Sequence, residues 1–143
     1  MTQDELKLTL TEQPTAEDRD IVSAGLVAFN QQHAPPDEYR PLDVYLRDAS
    51  GEIIGGLIGE TYWGWLHIDI LWLRDDVRGL GYGKRMLEMA EAQARQRGCK
   101  RAHLDTLSFQ ALDFYQKLGW TVWGQLDDLP EGHTRYFLKK SLV

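Results

Sequence analysis

Residues 73–84 read LRDDVRGLGYGK and mark the point where an apolar stretch ends and a helical pattern begins. Gly79, Gly81 and Gly83 stand at alternate positions in this segment, among several basic side chains. Such a turn points backbone N–H groups at one place, and the N-terminus of the following helix adds roughly half a positive charge. The segment therefore predicts a phosphate-binding turn. The simpler alternative is a plain strand-to-helix turn in which glycine only permits positive φ.

Two common phosphate-binding motifs do not fit this segment. A P-loop requires Gly five residues before its Gly-Lys pair and Ser or Thr after it, but Arg78 and Arg85 occupy those positions. A dinucleotide-binding fingerprint requires a further Gly three residues after G-x-G, but Lys84 and Met86 stand there. A different phosphate-binding turn is therefore expected.

The remaining pattern, Arg78-x-x-Gly81-x-Gly83, resembles the signature of the GNAT superfamily of acetyl-CoA-dependent N-acetyltransferases. A second match lies at 111–120, ALDFYQKLGW, where an Ala and an aromatic-Tyr pair precede a Gly-aromatic pair as they do in that family. Together the two motifs make residues 65–126 similar to the family.

Hydrophobic periodicity along the chain predicts an α/β (α+β) fold. The predicted strands are 6–11, 42–47, 52–62, 65–73, 101–105, 121–126 and 135–139, and the predicted helices end near His33, Gly98 and Gly119. This order predicts a mixed, mostly antiparallel twisted sheet of six to seven strands flanked by helices. The resemblance implies the GNAT-like acyl-CoA N-acyltransferase fold. No linker or repeat interrupts the chain, so residues 1–143 are expected to form a single N-acetyltransferase domain.

Local signals sharpen this prediction. Thr15 is a candidate N-cap for the first helix, and Ser108 for the last one, which is expected to start at Phe109. One face of the strand at 65–73 is wholly apolar, and we expect it to lie in the core. Its residues are Leu66, Ile68, Ile70 and Trp72.

Composition excludes several classes of protein. The chain is 43% apolar, which is too high for a disordered chain, and its net charge of −6 argues against a nucleic-acid partner held by a broad basic face. Cys99 is the one cysteine, so no internal disulfide is possible. No apolar run is long enough for a membrane span, and the first residues are acidic and polar. We therefore expect a cytoplasmic protein with no membrane partner, and no metal because no ligand set is visible.

The resemblance implies acetyl-CoA as cosubstrate. In the family, backbone N–H groups of the glycine-rich turn hold the pyrophosphate of coenzyme A, and a splayed strand edge pairs with the pantetheine amides. Ser108 stands where many members have an Asn that precedes the last helix. The candidate cofactor-binding residues are Leu71, Leu73, Val77, Arg78, Gly79, Gly81, Tyr82, Gly83, Lys84 and Ser108.

The candidate catalytic residues are Tyr115, His67 and Asp69. Tyr115 matches the tyrosine acid of the family, and a phenol with an ordinary pKa near 10 is protonated at neutral pH. His67 is a candidate base because an unperturbed imidazole has a pKa near 6.5, which suits proton removal at pH 7, and Asp69 could orient it or act in its place. The alternatives are a core aromatic for Tyr115 and a half-buried polar pair for His67 and Asp69.

The resemblance implies direct transfer of an acetyl group from acetyl-CoA to a primary amine of a small molecule or peptide. Acidic side chains in two predicted loops, 30–40 and 127–133, favour a cationic amine acceptor. The main alternative is an acyl-CoA-binding sensor or scaffold without efficient turnover. An enzyme with another acyl donor and an unrelated binding domain for a phosphorylated ligand are further alternatives. A homodimer through the last strands is a further expectation from the family.

Overall fold

The computed structural model describes residues 5–143, and these divide into two compact units, one up to Pro36 and one over Asp37–Val143. The expectation of a single domain stays a prediction.

The first unit contains one long helix, α1, over Ala16–His33. The hydroxyl of Thr15 accepts a hydrogen bond from the backbone N–H of Asp18 at 3.1 Å, so the predicted N-cap is confirmed. The strand predicted at 6–11 is wrong. These residues belong to no strand, and the Leu8 side chain is 100% exposed. Alternation of apolar and polar residues makes a strand stable only where a neighbouring strand supplies hydrogen bonds and a surface to cover.

The second unit contains one six-stranded sheet. Its strands are β1 (Arg40–Arg47), β2 (Ile53–Tyr62), β3 (Trp65–Leu73), β4 (Arg101–Leu107), β5 (Thr121–Asp127) and β6 (Thr134–Ser141), in the order β1-β2-β3-β4-β6-β5. The neighbours β3 and β4 run parallel, and the other neighbours run antiparallel. A short 3-10 turn at Asp75–Val77 leads to α2 (Tyr82–Gln96), and α3 (Leu112–Lys117) follows β4. The predicted mixed sheet is therefore confirmed, with six strands.

One face of the sheet is covered by the apolar side of α2. Met86, Leu87, Ala90 and Ala94 are buried there, as the helical spacing predicts. Burial of a side chain such as Leu87 stabilises a fold by about 1.5–3 kcal/mol. We call this the core face, and the opposite side of the sheet the outer face.

A β-bulge divides β3 at Asp69. Ile70 pairs with Ile58 and Ile68 pairs with Gly59, so Asp69 is an extra residue without a partner on β2. Beyond the bulge the alternation of faces is reversed. Leu66 and Ile68 lie in the core as predicted, but the expectation is wrong for the last two residues of the set: Ile70 and Trp72 are each 48% exposed. Leu71 and Leu73 pack against the core in their place.

The strands β3 and β4 separate beyond the bulge. Their pairing ends where Ile68 meets Leu104, and the rest of β3 pairs on the β2 side alone.

The helix after β4 starts later than predicted, because Ser108 does not cap it. The Ser108 hydroxyl accepts a hydrogen bond from the backbone N–H of Thr134 at 3.1 Å instead, and α3 begins after Ala111.

Candidate active site

A cavity of about 780 Å³ opens between the separated ends of β3 and β4. This volume lies within the range of small-molecule sites. Its lining comes from β3, the glycine-rich turn, the start of α2, the end of β4 and the segment leading into α3. The lining residues are Ile68, Asp69, Ile70, Leu71, Trp72, Leu73, Arg78, Gly79, Gly81, Gly83, Lys84, Leu104, Asp105, Thr106, Phe109, Gln110, Ala111, Phe114 and Tyr115.

The turn side of the cavity depends on glycine backbone. Gly79 and Gly81 have φ of +74° and +89°, a left-handed conformation that side chains other than glycine disfavour. Gly81 is the N-cap of α2 and supplies no side-chain cap, so the first amides of this helix have no intrahelical or capping acceptor. Gly83 faces Phe114, whose ring would lie 3.1 Å from an added β-carbon. The turn thus offers unused N–H groups at a positive helix end.

Arg78 fastens this turn to the end of β3. Its Nε donates a hydrogen bond to the carbonyl oxygen of Leu73 at 2.9 Å, and its guanidinium pairs with Asp75 at 2.9 Å. Arg74 is likewise engaged within the turn, because its guanidinium donates to both carboxylate oxygens of Asp76. The arginine side chains therefore shape the turn. The N–H groups of Val77 and Arg78 donate within it, to the carbonyl oxygens of Arg74 and Asp75, and the first amides of α2 remain available to a ligand.

The strand side of the cavity presents an open backbone edge. Leu71 and Leu73 pair with Leu57 and Gly55 of β2, while their other edge faces the cavity. An open edge of this kind can pair with an extended chain of amides, as an added strand does.

Tyr115 lies in the wall of the cavity on α3. It is buried, with its ring edge-on to Phe114 and Trp120 at centroid distances of 5.2 Å and 6.2 Å. Burial, followed by the negative charge of Asp105, raises the pKa of Tyr115 to about 12. The phenol is therefore a hydrogen-bond donor at every pH below about 11.

Two carboxylates stand where β3 and β4 separate. Asp69 lies at the bulge, and its carboxylate makes no hydrogen bond or ion pair with any residue in 5–143. Asp105 is held by Arg135, whose Nε and terminal nitrogen lie 2.9 Å and 2.8 Å from the same carboxylate oxygen. The lining is thus acidic at this point and basic at the turn, where Arg78 and Lys84 lie.

His67 lies on the outer face of the sheet, two residues before the bulge residue Asp69, and does not line the cavity. Its Nδ1 is 2.9 Å from a carboxylate oxygen of Glu60, and its ring stacks on that of His103 with centroids 4.5 Å apart. The Nε2 of His103 is in turn 3.0 Å from the hydroxyl of Tyr62. Burial and the neighbouring imidazole lower the pKa of His103. The carboxylate that contacts His67 is therefore that of Glu60, whereas the sequence suggested that of Asp69.

The structure brings most of the predicted residues to one cavity. Those in its lining are Asp69, Leu71, Leu73, Arg78, Gly79, Gly81, Gly83, Lys84 and Tyr115, and those outside the lining are His67, Val77, Tyr82 and Ser108.

Glu60 and Tyr62 were not predicted from the sequence as neighbours of this site, and His103 had no predicted role there. The period of two along β2 places Glu60 and Tyr62 on one face, which is a signal in the sequence. The pairing of β2, β3 and β4 that brings His103 beside His67 is a tertiary property.

Over the described residues 5–143, no helix is long and apolar enough to span a bilayer. The same residues hold no group of three or more His, Cys, Asp or Glu side chains placed to bind a metal ion.

Residues 7–120 match the acetyltransferase (GNAT) family. A blasticidin-S acetyltransferase from Streptomyces morookaense is 42% identical over 115 residues, which are 78% of this chain and 85% of that protein. The crystal structure of an acetyltransferase from Agrobacterium tumefaciens superposes with a TM-score of 0.90 at 33% identity, over 95% of this chain and 99% of that one. A Bacillus anthracis acetyltransferase solved in complex with acetyl coenzyme A shares the fold, with a TM-score of 0.62 at 20% identity over 78% of this chain and 66% of that one.

The family match spans the glycine-rich turn, the cavity and Tyr115, so the site and the comparisons concern the same part of the molecule. The chain belongs to the GNAT family of acetyltransferases, and acetyl-CoA is its cosubstrate.

Proposed function

We propose that this acetyltransferase moves the acetyl group of acetyl-CoA directly to a primary amine of a small molecule or peptide. The observation that carries the proposal is that one cavity is lined both by the carboxylate of Asp69, which has no hydrogen bond or ion pair among residues 5–143, and by the buried phenol of Tyr115. A carboxylate without a partner attracts a cationic amine to the place where a proton donor is available.

The glycine-rich turn is proposed to hold the pyrophosphate of the cosubstrate. Amides from Gly79 to Lys84 would bind the phosphate oxygens, since the first amides of α2 are unused and Gly79 and Gly81 leave open space around the backbone. The open edge at Leu71 and Leu73 would pair with the pantetheine amides. The cofactor-binding set under this proposal is Leu71, Leu73, Val77, Arg78, Gly79, Gly81, Tyr82, Gly83, Lys84 and Ser108.

The cosubstrate supplies an activated acetyl thioester, and the protein supplies position and proton transfer. Holding both reactants in one cavity contributes much of the acceleration. His67 lies outside the cavity lining, and it takes, through a water molecule, the proton that the amine nitrogen loses as the new C–N bond forms. Tyr115 donates a proton to the sulfur as the C–S bond breaks, and solvent returns that proton to the phenolate. Asp69 binds the amine while it is a cation.

A cationic acceptor fits the charges around the site. Asp69 and Asp105 line the cavity at the point where the strands separate, whereas the acidic loop at 127–133 lies outside this lining. The relative from Streptomyces is named for the acetylation of blasticidin S, and its 42% identity supports blasticidin S as the first compound to test.

The decisive experiment incubates the protein and acetyl-CoA with a panel of amines that includes blasticidin S. Each amine is matched with its hydroxyl counterpart. We expect thiol release and an acetylated product for amines, with product that survives mild alkali, as an amide does and an ester does not. Acetylation of the hydroxyl counterparts alone would overturn the proposal.

A thermal unfolding measurement separates an enzyme from a sensor. Acetyl-CoA at 100 times its Kd should stabilise the fold by about 2.7 kcal/mol, with ATP and NAD as controls. A sensor would show this stabilisation and release no thiol with any amine.

A further inference from the structure

The outer face of the sheet carries a connected polar cluster beside the proposed base. Its members are Glu60, Tyr62, His67 and His103. We propose that Glu60 is a positioning residue for His67, because its carboxylate accepts the Nδ1–H of the imidazole and leaves Nε2 as the atom that receives a proton. This inference rests on the proposed role of His67 as the base.

The first support is the sheet register. Glu60 and His67 are direct partners across the antiparallel pair of β2 and β3, so their side chains leave the same face at neighbouring positions. The two side chains are 21% and 20% exposed, so the contact is largely shielded from water. The 2.9 Å distance is that of a hydrogen bond, and the backbone at both ends is held by the sheet.

The second support is hydrogen-bond chemistry. An ionised carboxylate has no proton to give and only accepts hydrogen bonds. A nitrogen at 2.9 Å from it must therefore carry the hydrogen. A neutral imidazole has one N–H, so the contact with Glu60 leaves a lone pair on Nε2. Without the carboxylate, nothing at this contact selects between the two tautomers.

The third support is the stacking of the two imidazoles. His103 covers one face of the His67 ring at a centroid distance of 4.5 Å, and its own Nε2 is directed to the Tyr62 hydroxyl at 3.0 Å. The contact between the rings is a stack, so it limits ring rotation. Glu60 thus fixes which ring nitrogen of His67 carries the hydrogen, and His103 limits rotation of the ring.

The charged and titratable groups near His67 come from three strands. Glu60 and Tyr62 lie on β2, His103 and Asp105 on β4, and Asp69 on β3 itself. Of these, Glu60 is the one that contacts an imidazole nitrogen of His67 among the described residues. A substitution of Glu60 should therefore change the tautomer, whereas a substitution of Asp69 should not.

Nitrogen-15 NMR of histidine-labelled protein reads the tautomer without any acceptor or turnover. The chain has four histidines, and the His67 signals are identified by their loss in His67→Gln. In the wild-type protein we expect neutral His67 to carry its proton on Nδ1. A proton on Nε2 would overturn the proposal, whatever the variants do.

Two variants test the contact. Glu60→Leu removes the acceptor, and we expect mixed tautomers of His67 and a kcat reduced about tenfold, with the KM for acetyl-CoA within twofold of wild type. Glu60→Gln keeps an acceptor oxygen, and we expect it to retain most of the Nδ1–H tautomer and of kcat. The matched control is Glu52→Gln, at an exposed residue that precedes β2. It should change neither the His67 tautomer nor kcat. A single Nδ1–H tautomer in Glu60→Leu would show that Glu60 does not select it.

This design separates the inference from the proposed function. If His67→Gln kept full activity, the role of His67 as base would fail while the tautomer result stood. If neutral His67 carried its proton on Nε2 while His67→Gln lost activity, only the positioning role of Glu60 would fail.

Discussion

The two sides of the cavity are built from different parts of the polypeptide. On the turn side, the glycines at 79 and 81 and the first amides of α2 offer backbone groups, and arginine side chains bind within the turn. On the strand side, besides the open backbone edge of β3, Asp69 on β3 and Tyr115 on the neighbouring α3 offer side-chain groups with chemistry of their own. A site made of backbone tolerates many side chains, whereas a site made of side chains does not. The two sides should therefore respond to substitution in opposite ways.

The largest expected effect comes from Tyr115→Phe on the strand side. Loss of the proton donor should lower kcat about 1,000-fold, within the range that general acid catalysis contributes. The Kd for acetyl-CoA should stay within twofold, because the turn side is unchanged. A kcat within fivefold of wild type would remove Tyr115 from the mechanism.

The pH dependence of kcat gives a second test of the same residue. Because burial and Asp105 raise the pKa of Tyr115 to about 12, the phenol stays protonated below about pH 11. Titration of Tyr115 should therefore not lower kcat between pH 7 and 10. Any fall in kcat in this range should persist in Tyr115→Phe. A basic limb below pH 10 that disappears in this variant would contradict the raised pKa.

The next effect in size is that of His67→Ala. Removal of the base should lower kcat about 100-fold across pH 6–9. Asp69→Asn is the comparison variant, and it should instead raise the KM for a cationic amine about tenfold with a smaller change in kcat. A wild-type rate in His67→Ala over this whole pH range would assign proton removal to another group.

On the turn side, the sensitive positions are glycines. Gly81→Val puts a β-branched side chain at a φ of +89°, at a cost of about 1–2 kcal/mol in strain. We expect the turn to shift and the Kd for acetyl-CoA to rise about tenfold. The matched control is Gly51→Val, since Gly51 has a φ of +88° and open space in the turn between β1 and β2. It should lower the Tm similarly and leave the Kd unchanged.

The smallest effect is expected from Val77→Ala in the same turn. The N–H of Val77 donates to the carbonyl oxygen of Arg74, so this residue serves the turn through its backbone. Because its side chain is not expected to touch the cosubstrate, the Kd measured by calorimetry should change less than twofold. A rise above fivefold would mean that the turn side also depends on side chains, and the contrast between the two sides would be lost.

The two sides also differ in how well they could be predicted from the sequence. The turn is local: Gly79, Gly81 and Gly83 lie within one segment, and their spacing reports a backbone conformation. The strand side joins residues that are far apart in the chain. Glu60, His67 and His103 meet through the register of three strands, and no local pattern specifies a register. Glu60 was therefore missed, although His67 was a candidate from the sequence.

The bulge at Asp69 shows the same limit in one strand. The even-numbered residues of β3 form an apolar series in the sequence, which predicts one buried face. One extra residue reverses the alternation, so Ile70 and Trp72 become exposed while Leu71 and Leu73 pack inward. Ser108 is a similar case, because its hydroxyl binds Thr134 of β6 and leaves α3 uncapped by a side chain.

The sequence by itself determined the order of most strands and helices, the left-handed glycine turn and the resemblance to the acetyltransferase family, since each of these depends on residues close together in the chain. The tertiary structure alone decided where β3 and β4 separate, that Asp69 and Tyr115 share one cavity, and that Glu60 contacts His67. The physical reason is that periodicity and backbone propensity act over a few residues, whereas strand register and bulges are selected by the packing of the whole sheet.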